Sequence, residues 1–151
     1  MSAPDPIYPT LLASTLSTFG CQTGTVHRTT ADGQHLSLVC QTGVPDALLD
    51  KITLIPFGKG IAGAAAERRE PVELCNLQQD LGGVARPDAR QTGVAGSVAV
   101  PILSGETGAV IGTLGIGKYV PYEFTEAEKE QLAGVAAEIA GHFGHKALRD
   151  D

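Results

Sequence analysis

Two pairs of strand-like segments, each joined by a short turn, constrain the fold of this chain most strongly. Residues 25–30 and 34–41 flank Asp32-Gly33, a dipeptide that is typical of a two-residue hairpin turn. Residues 97–103 and 109–117 flank a second short turn, which contains two glycines. Because strands joined by such short turns run antiparallel, the sequence predicts a central antiparallel sheet.

The alternation of side chains along the strands predicts which residues share a face of that sheet. Ser97 and Ala99 lie on one face of their strand, and Val98, Val100 and Ile102 lie on the other. In the same way, Leu36, Leu38 and Cys40 are predicted to share one face of the second strand.

Helical segments are predicted at both ends and in the middle of the chain. Residues 7–19 carry apolar side chains at helical spacing, and a capping box of Thr125 and Glu128 begins a helix predicted to reach about Leu148. Residues 45–51 predict a short helix, and residues 61–68 a helix of small side chains. We expect an α/β fold of the α+β type, with about five to six strands. The terminal helices cover one face of the sheet, and the central helices and a long loop cover the other.

The chain is expected to form one domain over residues 7–149, preceded by a flexible N-terminus at residues 1–6. Its 151 residues, 42% of them apolar, suffice for one hydrophobic core. Residues 76–96 form the least regular stretch, and loops of that length are uncommon unless they serve a purpose such as covering a ligand. We therefore expect a ligand cavity on the face covered by glycines, small residues and this loop.

The charge and the cysteines argue against several classes of function. A formal net charge of −6 disfavours binding to nucleic acid or to an anionic membrane surface. No apolar run approaches the roughly 20 residues of a membrane span, and residues 1–9 show no signal-peptide pattern, which predicts a cytoplasmic protein. Because Cys21, Cys40 and Cys75 are widely spaced, we expect reduced thiols, with no metal site and no cofactor.

An ordered set of motifs resembles the GAF domain family. In chain order the motifs are IPFGKGIAG at residues 55–63, Glu70-Pro71-Val72, Ser97 with Val100-Pro101-Ile102, Gly108 with Val110-Ile111-Gly112 and Leu114, and Phe124-Thr125. The resemblance extends over about residues 11–143. It implies a central antiparallel sheet with a ligand pocket on one face, and a homodimer formed through the two terminal helices.

Within that family, residues 55–60 are most similar to the free methionine-(R)-sulfoxide reductases, which require a nucleophilic thiolate and a resolving thiol. The resemblance places the cysteines of those enzymes at Ala62, at about Ile52 and near Arg90, and none of these residues is a cysteine. It therefore implies a related cavity without that catalysis, and no catalytic residue is predicted.

The predicted ligand-binding residues come from three parts of the chain. Lys59 precedes a helix start, where free amides favour an anion or a carboxylate. Charged residues at 86–90 either clamp a carboxylate or phosphate or simply face solvent. Residues 71–74 predict a short strand that ends at Cys75, and in the resemblance this strand end faces the pocket. The predicted set is Phe57, Lys59, Ile61, Ala62, Cys75, Asn76, Arg86, Asp88, Arg90, Ser97, Ala99 and Thr113.

The sequence leaves open both the role of His27 and the choice among three functions. His27 either faces the pocket or is an ordinary strand histidine. The favoured function is a non-catalytic sensor domain for a small ligand, anionic or amino-acid-like, which acts through a homodimer or a signalling partner. The alternatives are a free methionine-(R)-sulfoxide reductase-like enzyme with altered cysteines, among which Cys75 is the candidate, and a dimerisation scaffold with a vestigial pocket.

Overall fold

The two predicted hairpins form the centre of a six-stranded antiparallel sheet. The computed structural model describes residues 6–75 and 93–143. The strands are β1 (Thr23–Thr29), β2 (His35–Thr42), β3 (Leu54–Pro56), β4 (Val72–Leu74), β5 (Gly96–Leu103) and β6 (Val110–Lys118), in the spatial order β3-β2-β1-β6-β5-β4. The helices are α1 (Ile7–Phe19), α2 (Leu49–Ile52, after a 3-10 turn at Asp46–Leu48), α3 (Gly60–Arg68) and α4 (Glu126–Phe143). The predicted α+β fold class is confirmed.

The terminal helices cover one face of the sheet, as predicted. Leu12 of α1 and Ile139 of α4 are fully buried there and pack on apolar side chains of the central strands. The strand residues of this core are Val26, Val98, Val100, Ile102, Leu114 and Ile116. Because this core lies between the terminal helices and the sheet, the opposite face of β1, β5 and β6 is available to a second layer.

The small helix α3 forms part of that second layer. Ala64 and Ala65 pack on Ala99, which lies on the predicted face of β5. A Cβ atom added to Gly63 would lie 2.5 Å from the main-chain oxygen of Pro56. A glycine is therefore required where α3 passes the chain at β3, as expected for a helix of small residues that packs closely.

The sequence analysis predicts no strand at residues 54–56, where the structure forms β3. Ile55 pairs with Leu36 of β2 and is buried against it and Ala66. Pro56 ends the strand at the edge of the sheet, where its lack of an N–H group is tolerated. Three residues are too short to show a strand-like alternation, so the segment carried no sequence signal.

A β-bulge corrects the predicted faces of β2. Val26 pairs with Cys40 and the next residue, His27, pairs with Leu38, so Val39 is an extra residue on β2. Cys40 consequently packs against the core under the terminal helices, whereas Leu36 packs against the layer that contains α3. Leu36 and Leu38 do share a face, since they pair with Thr29 and His27. The inclusion of Cys40 was wrong, because one inserted residue reverses the alternation beyond it.

The predicted capping box begins α4. The amide of Glu128 donates to Thr125 Oγ1 at 3.0 Å, and the amide of Thr125 donates to Glu128 Oε1 at 2.9 Å. The structure describes α4 as far as Phe143, so the predicted continuation to Leu148 lies outside the described residues, as do the predicted flexible N-terminus before Pro6 and most of the predicted loop. None of the helices in the described part is long and apolar enough to cross a membrane.

Candidate functional site

A cavity of about 180 Å³ lies between the sheet and the short helices on its second face. The strands contribute Thr23, Thr25, His27, Ser97, Ala99 and Gly115 to its lining. The helical side contributes Leu48, Lys51, Ile52, Lys59, Ile61 and Ala62. Most of the surface that lines the cavity is nonetheless apolar, as in pockets that bind small organic molecules.

Small residues on the sheet leave this volume open. Gly115 of β6 pairs with Thr25 of β1, and both line the cavity. A Cβ atom at Gly115 would lie 3.3 Å from Thr25 Oγ1 and 3.9 Å from the Cβ atom of Ala99. Any larger side chain at position 115 would therefore project into the cavity.

His27 is a buried polar residue in the cavity lining, with 1% of its surface exposed. Its Nε2 lies 2.8 Å from the main-chain oxygen of Ile52. Since a carbonyl oxygen only accepts, Nε2 carries the hydrogen. Burial lowers the pKa of His27, and the bond to Ile52 offsets this only in part. The ring is therefore neutral near pH 7, and its Nδ1 atom is a hydrogen-bond acceptor.

Two buried polar atoms have no partner in the described part of the chain, and they belong to residues that face each other. They are Nδ1 of His27 and Oγ1 of Thr113. The two residues pair directly across β1 and β6, so their side chains share the face of the sheet that holds the cavity. Thr113 is buried without being part of the cavity lining.

The N-terminus of α3 supplies donors on the other side of the cavity. The first bond within the helix runs from the amide of Gly63 to the oxygen of Lys59, at 3.1 Å. The amides of Gly60, Ile61 and Ala62 therefore precede the helical hydrogen bonds, and no side chain caps this end. A helix N-terminus with free amides favours the binding of an anion. Lys59 adds a positive charge, and no acidic side chain occurs among the described lining residues.

The structure brings together some of the residues predicted to bind a ligand and separates others. Five of them line the cavity: Lys59, Ile61, Ala62, Ser97 and Ala99. Three described ones do not, namely Phe57, Cys75 and Thr113. Phe57 packs against the cluster around Ile55, and Cys75 is exposed at the end of β4. Asn76, Arg86, Asp88 and Arg90 lie outside the described residues.

Sequence reasoning missed two groups of lining residues. Thr23 and Thr25 precede His27 at alternate positions of β1, a central strand. Three polar side chains on one face of a central strand are a signal that could have identified the cavity floor. Leu48 lies in the short helix that was predicted at residues 45–51 without an assigned face, and Ile52 directly follows that range.

Apolar residues occupy the cavity where the resemblance places reductase cysteines. Ala62 and Ile52 both line it, and no cysteine does among the described residues. Cys40 packs against the core, where burial raises the pKa of its thiol to about 11. Burial also raises the pKa of Cys21, although Lys118 counteracts it. No group of three metal-ligating side chains occurs in the part of the chain that the structure describes.

Comparisons with known proteins agree with this architecture. The family model described as GAF domain matches residues 4–142. No curated protein matches the chain.

Among solved structures, the GAF domain of a phosphoenolpyruvate-protein phosphotransferase from Coxiella burnetii is similar. It shares 20% identity with a TM-score of 0.75, over 89% of this chain and 79% of that chain. The free methionine-R-sulfoxide reductase from Neisseria meningitidis, solved with its substrate, shares 19% identity with a TM-score of 0.69, over 95% and 93%. At these identities the likeness shows a common fold. Because the family model spans most of the sequence, this chain belongs to the GAF domain family.

Proposed function

We propose that this domain is a non-catalytic sensor module that binds a small organic anion in the cavity. GAF domains are a family of small-molecule-binding regulatory domains. The observation that carries the proposal is the lining of the cavity. It combines a largely apolar surface with the uncapped N-terminus of α3 and Lys59, and the described lining holds no acidic side chain.

The size and chemistry of the cavity support an organic ligand rather than an inorganic ion. Its volume is about 180 Å³, and an engineered apolar cavity of about 150 Å³ holds benzene. An inorganic anion would leave the apolar lining unfilled. A carboxylic acid would direct its charge to the start of α3 and its apolar body to residues such as Leu48 and Ala99.

The positions of the thiols support a binding role over the reductase alternative. Reduction of a sulfoxide by thiols needs a thiolate next to the bound sulfur. Ala62 and Ile52 cannot supply one, and Cys75 is exposed outside the described cavity lining.

A contact between β6 and α1 supports signalling through the terminal helices. Lys118 at the end of β6 donates from Nζ to the main-chain oxygens of Phe19 at 2.7 Å and Gly20 at 3.2 Å. These oxygens end α1, and an earlier residue of β6, Gly115, lines the cavity. A shift of β6 on ligand binding would reach α1 by this route. We propose that it alters a homodimer interface or a contact with a signalling partner, in the cytoplasm.

The test is a thermal-shift screen with carboxylic acids, nitrate, amino acids, nucleotides and methionine sulfoxide. A ligand at a hundred times its Kd stabilises a protein by about 2.7 kcal/mol, which such a screen detects. We expect carboxylates to raise Tm, and Lys59→Ala to weaken the carboxylates that bind. Arg68→Ala is the matched control, because Arg68 is exposed at the far end of the same helix.

Two results would contradict the proposal. The absence of any shift would favour the scaffold alternative. Thiol-dependent turnover of methionine sulfoxide, measured in parallel, would establish an enzyme.

A further inference from the structure

We propose that Nδ1 of His27 is the specificity-determining acceptor of this cavity. The ligand would then be a small carboxylic acid that also carries a neutral hydrogen-bond donor, such as a hydroxyl group. This inference rests on the proposed function, because it specifies which small anion the same cavity takes.

The direction of the hydrogen bond at His27 follows from its partner. The main-chain oxygen of Ile52, 2.8 Å from Nε2, accepts only, so the hydrogen of the neutral ring resides on Nε2. Nδ1 then presents a lone pair and no hydrogen. No described residue donates to it, although it is buried.

A buried hydrogen-bond acceptor without a partner determines which group a ligand must carry at that point, namely a hydrogen-bond donor. Burying such an atom without a partner is unfavourable, and buried polar groups in proteins are nearly always paired. A ligand that donates to Nδ1 removes this penalty when it binds, whereas an analogue without the donor leaves it in place. The start of α3 requires the opposite property, because its amides need an acceptor. The cavity therefore selects a molecule with an acceptor and a donor.

The donor at His27 should be neutral. An ammonium group in this cavity would meet a neutral imidazole, hydroxyl and apolar groups, and the side chains of Lys51 and Lys59, whereas no carboxylate lies in the described lining. A buried cation without a counter-charge is strongly disfavoured. The arrangement thus favours hydroxy acids over the amino-acid-like ligands that the sequence also suggested.

A competing arrangement involves Thr113. Its hydroxyl oxygen is also unpaired and belongs to the residue directly opposite His27. If that hydroxyl turned and donated to Nδ1, the two residues would satisfy each other and His27 would be a structural residue only. The experiment must separate this arrangement from recognition of a ligand.

The binding test uses acids that differ in one group. The first set is 4-methylpentanoate, 2-hydroxy-4-methylpentanoate and leucine, which share one carbon skeleton. The second is benzoate, 3-hydroxybenzoate and 4-hydroxybenzoate, in which the donor lies farther from the carboxylate. In calorimetric titrations we expect a hydroxy acid to bind about tenfold more tightly than its parent in at least one set, and leucine to bind most weakly of its set.

Variants assign that preference to the histidine. His27→Leu removes the acceptor and should abolish the preference for the hydroxy acid. The side chain in His27→Gln carries both a donor and an acceptor. This variant should therefore retain part of the preference for the hydroxy acid, even if His27→Leu folds poorly. Thr113→Val should leave it unchanged. In ¹⁵N spectra of the wild-type ring, the Nδ1 signal should move when the hydroxy acid binds but not when the parent acid binds.

Several outcomes would overturn the inference. These are equal binding of hydroxy and parent acids, an undiminished preference in His27→Leu, or an Nδ1 signal that is already hydrogen-bonded without ligand and changes in Thr113→Val. If none of these acids binds while another anion in the screen does, the inference fails and the proposed function stands. If nothing in the screen binds, both fail.

Discussion

His27 and Ile52 are joined by a hydrogen bond of 2.8 Å from the imidazole Nε2 to the main-chain oxygen. The bond connects the central strand β1 with the end of α2, and both residues line the cavity. This one hydrogen bond therefore connects the helical side of the cavity to the sheet, and it determines which ring nitrogen carries the hydrogen.

This burial predicts a pH-dependent stability. Because burial lowers the pKa of His27 in the folded protein, the unfolded chain binds more protons at this site as the pH falls below about 6.5. The free energy of unfolding should therefore decrease with falling pH in that range, by at most about 1.4 kcal/mol per pH unit from this residue. Urea unfolding between pH 7 and pH 5 measures the slope.

His27→Gln is the control for that slope, because it keeps an amide donor for the oxygen of Ile52 and does not titrate. The variant should show a smaller decrease in stability over the same pH range. Equal slopes in the two proteins would mean that His27 is not the group responsible.

Much of the fold follows from the sequence because its signals are local. Asp32-Gly33 determines a hairpin, and Thr125 with Glu128 determines the start of α4. The bulge at Val39 is different, because it arises from the pairing of two strands and leaves no pattern within β2. Strand β3 likewise exists only through its pairing with β2 and its burial against α3.

The candidate site was only partly predictable for a related reason. Lys59 was identified because a helix start is visible in the sequence, and Ala62 because the resemblance places a reductase cysteine there. The hydrogen bond between His27 and Ile52 joins residues 25 positions apart in the chain, and no local sequence pattern predicts it. Thr113 was predicted to bind the ligand and lies on the same face of the sheet as His27, but whether a residue on that face reaches the cavity depends on how the second layer packs.

A side chain at position 115 should block the cavity. Gly115→Val would place its Cβ atom 3.3 Å from Thr25 Oγ1 and its methyl groups in the volume that a ligand needs. We expect at least a tenfold loss of affinity for any ligand found in the screen, with a cooperative unfolding transition retained. Calorimetric titration and a thermal melt measure the two effects.

Gly134→Ala supplies the matched control for that variant. Gly134 lies in α4, is exposed, and an added Cβ atom would meet nothing within 4 Å. This change should stabilise the domain by about 0.5–1 kcal/mol through helix propensity, and it should leave the affinity unchanged. Unaltered binding in Gly115→Val would place the ligand elsewhere.

Gly112 is predicted to be the least replaceable residue of β6. An added Cβ atom would lie 2.2 Å from the main-chain oxygen of His27. Because this neighbour is backbone, it cannot move aside without disturbing the pairing of β1 with β6. Gly112→Ala should destabilise the domain by about 3 kcal/mol in urea unfolding. A loss below about 1 kcal/mol would show that the two strands can separate locally.

The capping box should contribute measurably to stability. Thr125→Ala removes the oxygen that accepts from the amide of Glu128, and it should reduce the free energy of unfolding by about 1 kcal/mol. Thr125→Ser keeps that oxygen and should restore most of the loss. Similar destabilisation by both substitutions would indicate that the threonine methyl group, rather than the cap, matters.

The three cysteines should differ sharply in reactivity. Cys75 is exposed, whereas Cys40 is half-buried with its pKa raised to about 11. Relative to an ordinary thiol pKa of 9.0, Cys40 then has about a hundredfold less thiolate at pH 8. Alkylation of the native protein with iodoacetamide, followed by peptide mass spectrometry, should modify Cys75 first, and denaturation should equalise the reactivity of all three cysteines.

Cys75→Ser should remove the fast alkylation reaction while the domain stays folded and binds its ligand, because Cys75 lies outside the described cavity lining. Loss of ligand binding in that variant would assign Cys75 to the site and reopen the reductase alternative.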